Sequence, residues 1–428
     1  MSYADDLFLI SRHAGSLSAA TAMYENFVAL TGQELFAKSK YFCIDTPARM
    51  TINGCILPPQ SSTSLLGIVL SAENGSFCVQ AADKKVKDAV SILNRLAYSE
   101  LPFDARVQVV STLVAPMALA GTEAADVQHQ EEVALRSSIV SAIWEKPGRK
   151  HSHGLVFTLF AKGHFTDPIQ IHLYKRVLGI ARMLAANDLF KSILQDSLVR
   201  LRRRRPNRAG GPCNAMLAFW NRFKVRFIQG AQIQIGNSVF DPCNPDDLKA
   251  LPHALRSAAR AQVWRTTETN CGRSFGDASG LAVGVNRPAT LALYANASSP
   301  QVKGALRYIL VGAFFAPKNE DRACTFCESI DADVEHVWWH CPQWQQLRDN
   351  ICINVHAVLT LPKVTRVMGV VTLDCDRPRL VVLMQSVMVE IFMAVLAASG
   401  SSVPSTANKV PSDELRRAIR VCPVAGIS

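Results

Sequence analysis

The sequence predicts an α+β chain. Short apolar runs near residues 7–10, 41–44 and 65–70 surround one helix, and from Ala81 to Gly121 the apolar residues recur at helical spacing. Three cysteines and a histidine within the 18 residues 324–341 add a small metal-type knuckle to that class. With 428 residues, 49% hydrophobic and 19% charged, the chain has apolar material for two or three domains. The same figures exclude wholesale disorder, a collagen repeat and a small disulfide scaffold. The opening Met1-Ser2-Tyr3-Ala4-Asp5-Asp6 has neither the basic nor the apolar stretch of a signal peptide. The expectation is an intracellular protein, nuclear or cytoplasmic, whose 12 cysteines are reduced.

Taken in order, Leu7-Phe8-Leu9-Ile10 reads as a strand, and Leu17, Ala20, Met23, Phe27 and Leu30 as the apolar stripe of a helix that Gly32 ends. Tyr41 to Ile44 and Leu65 to Leu70 are further strands. Val86, Val90, Leu93 and Leu96 mark one helix and Val107, Val110, Leu113 and Val114 the next, with Pro102 between them. The stretch 145–300 is mixed, poor in aromatic residues and rich in Pro and Gly, and its clearest piece is a helix over Leu248 to Thr266. Leu380 to Ala398 is long enough to cross a bilayer, but Gln385 and Glu390 in mid-span favour a buried core helix, so no membrane partner is expected. Ser399 to Ser412, rich in Ser, Pro and Thr, reads as a flexible linker before a basic tail.

The formal net charge is +11, and from Lys146 to Arg226 the local balance reaches +14, with 17 Lys and Arg against Asp167, Asp188 and Asp196. Its densest point holds Arg200, Arg202, Arg203, Arg204, Arg205 and Arg208. Such a run serves as a solvated linker or import signal, or as a phosphate contact that releases condensed counterions.

Two constellations carry chemistry. Tyr3-Ala4-Asp5-Asp6 places adjacent carboxylates at a β-turn, where hard oxygen ligands suit Mg²⁺. Cys324-x2-Cys327-x8-His336-x4-Cys341 has the spacing of a zinc knuckle, with His340 competing for the fourth place and reduced cysteines in a core as the alternative. Trp338, Trp339 and Trp344 beside it offer either stacking faces for bases or core packing. Pro245-Asp246-Asp247-Leu248-Lys249 reads as a helix start with first-turn carboxylates, not a nuclease motif, and Gly276-Asp277-Ala278-Ser279-Gly280 as a turn. His151, His153 and His164 read as surface or satisfied histidines.

The order of these pieces resembles the second half of a reverse transcriptase palm, and most closely the polymerases of non-LTR (LINE-like) retrotransposons. The Tyr-Ala-Asp-Asp box is followed by a strand, a helix, Thr31-Gly32, Lys38-Ser39-Lys40 and Leu66-Gly67. Downstream, Leu306 to Ala313, the knuckle, Glu335-His336-Val337-Trp338-Trp339-His340-Cys341-Pro342 and Arg348 look like the Cys-Cys-His-Cys finger found after many such polymerases. The resemblance implies that Asp5 and Asp6 hold catalytic Mg²⁺, that Lys38 or Lys40 lies near the incoming triphosphate, and that Leu66 and Gly67 form the primer-grip hairpin. Zn²⁺ would sit on Cys324, Cys327, His336 and Cys341. The implied activity is RNA-directed DNA synthesis, with element RNA and target DNA as partners.

On this reading residues 1–75 are a partial palm, 76–125 thumb helices, 126–300 a basic helical connector, 301–350 the knuckle, 351–398 a helical segment and 399–428 linker and tail. A second function class is a nucleic-acid-binding remnant that uses only the basic region and the knuckle. In the family the third metal-binding carboxylate and the fingers precede the Tyr-Ala-Asp-Asp box, and here only Met1 and Ser2 do, so the hairpin is expected to lack its first arm and the fragment to be inactive alone. Residues 1–428 should accordingly incorporate no dNTP in a primer-extension assay with Mg²⁺ or Mn²⁺. Incorporation that disappears in Asp5→Ala would refute that.

Overall fold

A computed structural model of the chain describes residues 2–3, 6–7, 9, 13–32, 41–42, 50–52, 55–60, 62–65, 68–71, 76–122, 127–144, 151–186, 188, 191–196, 223–228, 232–271, 278–297, 299–313, 323–324, 326–330 and 332–398. Asp5, Lys38, Lys40, Leu66, Gly67, the Arg200 to Arg208 cluster, Asp277 and the 399–428 tail lie outside the described residues. The described chain is mostly helical with a few small sheets. Its longer helices are α1 (Ala14–Thr31), α2 (Ser76–Ala97), α3 (His129–Trp144), α4 (Pro168–Ala186), α5 (Pro245–Cys271), α6 (Pro300–Leu310) and α7 (Pro378–Ala398).

Among the described residues the N-terminal strands do not pair into one sheet. Within those residues they make four separate two-stranded sheets, of which Met50–Ile52 with Cys55–Leu57 and the parallel pairing of Tyr41–Phe42 with Pro59–Gln60 have no counterpart in the sequence reading. Ser2–Tyr3 pairs antiparallel with Asp6–Leu7, Ser2 opposite Leu7 and Tyr3 opposite Asp6, so the expected missing first arm is present as two residues. Two residues on each side of a two-residue connection are enough to close a hairpin ladder. The expected strand at Leu7 to Ile10 is correspondingly shorter, since pairing ends at Leu7. Ser62–Leu65 pairs antiparallel with Ile68–Ser71, so the expected single strand Leu65 to Leu70 is divided between two strands, and positions 66–67 lie outside the described residues.

Helix α1 ends as expected on Gly32, whose left-handed backbone lets its N–H reach the Val28 carbonyl. Its expected core stripe is wrong: Met23, Phe27 and Leu30 are exposed, Leu30 at 88%, while Thr21 and Val28 are buried. The helix meets the Met50–Ile52 strand along a different face, where the Ser18 hydroxyl lies 3.4 Å from the Met50 sulfur.

From α2 onward one core runs through most of the chain. Val86, Leu93 and Leu96 of α2 are buried as their spacing requires, and α2 packs on α3 through Leu135, Ile139 and Ile143. The helical run 103–118 follows Pro102. Its buried Arg106 gives Nε to the Leu101 carbonyl at 2.7 Å and a terminal nitrogen to the Ala142 carbonyl at 3.2 Å, which ties the Pro102 corner to α3. Leu306 and Leu310 of α6, Trp338 of the knuckle and Val387 of α7 belong to the same core. Residues from the segments 76–125, 126–300, 301–350 and 351–398 distinguished in the sequence therefore share one interior.

A second core lies where α4 and α5 cover a three-stranded antiparallel sheet, Ser238–Phe240 beside Ile233–Ile235 beside Val225–Phe227. Val225, Phe227, Ile233 and Ile235 alternate inward at the period of two that a half-buried strand requires. This sheet departs from the expected helical connector. Helix α5 itself contains the predicted Leu248 to Thr266 span, and Asn244 caps it by accepting from the Asp246 amide at 3.0 Å, with both aspartates in the first turn.

Helix α7 is apolar enough to span a membrane by length and composition, yet Val381, Met384, Val387, Met388 and Ile391 are completely buried in the protein. Gln385, which argued for a core position, donates from Nε2 to the Thr290 carbonyl at 3.0 Å and the Gly369 carbonyl at 2.7 Å.

The histidines near residue 150 are packing groups. His151 stacks on Trp144 with centroids 5.6 Å apart, and His153 lies 5.5 Å from His151. Burial first, then the charges of His151 and Arg136, lower the pKa of His153 to about 4. A histidine depressed when folded makes the unfolded state bind more protons between pH 6.5 and 4, so stability should fall as pH drops through that window. In urea titrations at successive pH values, His153→Gln should show a shallower acid loss than the wild-type chain, and identical slopes would count against this account.

Candidate metal centre

The ligating atoms of Cys324, Cys327, His336 and Cys341 all lie within 4.8 Å of one another. Cys324 and Cys341 sulfurs are 3.9 Å apart, and the Cys327 sulfur is 3.2 Å from His336 Nε2. Zn–S bonds of about 2.3 Å at tetrahedral angles would set two sulfurs about 3.8 Å apart, whereas a disulfide would need about 2.05 Å. The geometry and the donor set fit a metal ion such as zinc.

Local backbone builds this arrangement. The Cys324 amide donates to the Ser329 carbonyl at 2.9 Å and the Glu328 amide to the Cys324 carbonyl at 2.8 Å, closing a tight loop with Glu328 in the left-handed region at φ 59°. On the other side Asp333 accepts from the His336 amide at 2.8 Å and starts a helical turn. An α-helix would carry Cys341 about 140° round the axis from His336. The turn instead widens: the Cys341 amide donates to the His336 carbonyl, five residues back, at 2.7 Å. That π-type closure turns the x4 spacing into a pair of ligands on one side. His336 thus belongs to the cluster, and the exposed His340 does not.

The centre is bolted to the core from behind. Arg348, 1% exposed, donates to the Trp338 carbonyl at 3.2 Å and the Cys341 carbonyl at 2.7 Å, so it holds the middle and the C-terminal end of the wide turn. Trp338 and Trp339 give their indole N–H groups to the carbonyls of Val367 at 3.1 Å and Arg366 at 2.9 Å. Glu335 holds the Arg366 guanidinium and lies 3.8 Å from Lys363. Trp344 packs edge-on against Phe326 at 5.1 Å. All three tryptophans are buried, which corrects the stacking-face reading in favour of core packing. The Glu335–Arg366 pair has no short-range signature, because its partners are 31 residues apart.

Burial pushes the Cys341 thiol well up. At Cys327 burial also pushes up, but hydrogen bonds from the Ser329 backbone and the Cys324 and Cys341 thiols outweigh it and the net shift is downward. Burial, with His340 and Arg348 charges adding, holds His336 below its ordinary value, so the imidazole is available as a neutral ligand. A cation at the centre of the four would favour the thiolates that burial alone disfavours.

Of the other sequence-predicted site residues, Asp6 begins the second arm of the N-terminal hairpin. Its proposed partners Asp5, Lys38, Leu66 and Gly67 and the arginines at 200, 202–205 and 208 lie outside the described residues. Comparison with known proteins returns no match: no family model, no curated protein and no solved structure corresponds to this chain.

Purified protein should carry about one zinc per chain by metal analysis. Cys324→Ser, Cys327→Ser, Cys341→Ser and His336→Ala should each lose it, while His340→Ala, Cys352→Ser and Cys375→Ser keep it. Because the ligands must be deprotonated, the wild-type chain should release metal as pH is lowered. Zinc retained with Cys324 and Cys327 both serine would leave a plain reduced-cysteine core.

Proposed function

We propose that the chain is a nucleic-acid-binding portion of a LINE-like reverse transcriptase, folded at its C-terminal side around one structural zinc ion. The observation that carries this is the four-ligand cluster, which lies downstream of the Tyr3-Ala4-Asp5-Asp6 hairpin in the order such polymerases have. A centre with four protein ligands leaves no open position for substrate, so its chemistry is structural. The zinc would fix the wide turn and the tryptophans behind it, and the catalytic metals would be Mg²⁺ at Asp5 and Asp6 wherever a complete palm is assembled. The work would be done in the nucleus or cytoplasm on element RNA and target DNA.

The basic stretch 146–226 supports binding to RNA or single-stranded DNA through phosphates with little sequence preference. A nucleic-acid-binding remnant without synthesis would rest on the same charge. In filter binding across salt concentrations, wild-type protein should show a steep fall of log K with log[salt]. Replacing Arg200, Arg202, Arg203, Arg204, Arg205 and Arg208 should flatten that slope by several units, at about 0.7 per lost single-strand contact. No binding to either nucleic acid at low salt would end this reading, and an unchanged slope would return the cluster to linker or import signal.

A further inference from the structure

Away from the metal centre, the turn at 162–167 displays an aromatic ring beside a row of cations. Lys162 sits in the left-handed region at φ 51°, and the Phe165 amide returns to its carbonyl at 2.8 Å. The Asp167 amide donates to the Gly163 carbonyl at 2.8 Å and the Thr166 hydroxyl to the Ala161 carbonyl at 2.6 Å. A Cβ at Gly163 would come within 2.9 Å of the Phe157 carbonyl oxygen, so only glycine fits there. The buried Asp167 carboxylate takes the Arg136 guanidinium in a two-pronged pair at 3.1 and 3.2 Å. This turn is rigid, and it holds Phe165 51% exposed with its ring centroid 4.0 Å from that of His164.

Helix α5 supplies the cations. Lys249, His253, Arg256 and Arg260 fall on one exposed stripe at spacings of four, three and four residues, and residues 248–267 contain no Asp or Glu. At about 1.5 Å per residue Arg256 and Arg260 lie about 6 Å apart along the axis, whereas Lys249 is paired with Asp246 at 3.3 Å. Arg256 lies over the Tyr174 ring at 5.0 Å, which joins α5 to α4 at this point. Among the described residues neither Arg256 nor Arg260 forms an ion pair with a carboxylate. Two turns past Arg256 along the same face, Trp264 donates from Nε1 to the Thr158 hydroxyl at 3.3 Å, so this face of α5 runs between Thr158 and Tyr174, the residues on either side of the Phe165 turn. In keeping with that, partial burial and then the charges of Arg256, Arg260, Lys162 and Arg287 lower the pKa of His164.

We propose that the Phe165 turn and the Arg256–Arg260 stripe form a binding site for single-stranded nucleic acid, with one base stacked on Phe165 and the adjoining phosphates on Lys162, Arg256 and Arg260. The inference rests on the nucleic-acid-binding reading above and places that function on residues outside the 200–208 cluster. An exposed ring set among cations is the pairing that sequence-tolerant single-strand sites use, since every base has a face to stack and every nucleotide a phosphate. An acidic protein partner would need the charges but not the ring.

The test uses the full chain with zinc bound, a fluorescent single-stranded RNA and a single-stranded DNA of the same sequence, and an acidic polypeptide of matched charge. Phe165→Ala should weaken binding to one or both nucleic acids by about 5- to 100-fold and leave the salt slope unchanged. Arg256→Ala with Arg260→Ala should flatten the slope by about 1.4. Ultraviolet crosslinking of a 5-iodouracil oligonucleotide should mark the tryptic peptide Gly163–Lys175. Because all three positions are exposed, thermal melting of each variant should match wild type. Wild-type binding that is indifferent to these variants but lost with the 200–208 arginines would overturn this site and leave the proposed function standing. Absence of any wild-type binding would overturn both, and loss with the arginines alone, equal for the acidic polypeptide, would reassign the surface to a protein partner.

Discussion

A guanidinium sealed from water turns to whatever acceptors surround it, and the two terminal nitrogens of Arg348 find theirs in the backbone of the ligand-bearing turn, while its buried Nε has no partner among the described residues. Its hydrogen bonds to the Trp338 and Cys341 carbonyls hold that turn in its wide form, and the same turn aims two indoles at the carbonyls of Val367 and Arg366. From there the ties continue inward. Gly369, two residues past Val367, accepts from Gln385 of α7, and Gln385 also reaches Thr290, whose hydroxyl donates to the Asn286 carbonyl. Metal ligands, C-terminal helix and the 286–290 turn are thus linked by a continuous run of buried polar contacts, each of which costs free energy if its partner is removed.

That linkage explains why the metal centre is not a detachable bead. Cys324 and Cys341 are buried members of the large apolar core, not surface ligands on a loop. The metal and the apolar interior would stabilise each other: packing brings the sulfurs together, and an ion would favour the Cys341 thiolate that burial disfavours. The neighbouring core of α4, α5 and the 225–240 sheet has its own interior and carries the cationic stripe on its outside.

The helices were the legible part of the sequence, because a 3.6-residue period survives any tertiary context that buries one face. Val86, Leu93 and Leu96, the Pro102 break and the α5 start at Pro245-Asp246-Asp247 all follow from local rules. The four cysteine and histidine ligands were legible too, since ligand spacing is itself a local property. Spacing alone left His340 as a rival and only the resemblance favoured His336; what decides between them, a widened turn held by Arg348 from the next helix, is not written in the spacing. The strands were the least legible: three-residue pieces such as Ile233–Ile235 are too short to show alternation above background. Helix α1 misled for the opposite reason, since an apolar stripe records only that a face can be buried, and Met23, Phe27 and Leu30 are not. The buried indoles of Trp338 and Trp339 find acceptors nearly thirty residues away, which no window of sequence reveals.

A hydrogen bond that spans five residues fixes chain length as strictly as chain direction. Elsewhere in this protein an added residue could be absorbed by a connection, because lengthening a loop changes its closure entropy only slowly. Between His336 and Cys341 it could not, since one residue more or fewer would rotate Cys341 by roughly a quarter turn or more and carry its sulfur off the other three ligands. Among chains descended from a common ancestor with this one, that interval should be the stretch where substitutions accumulate but insertions and deletions do not.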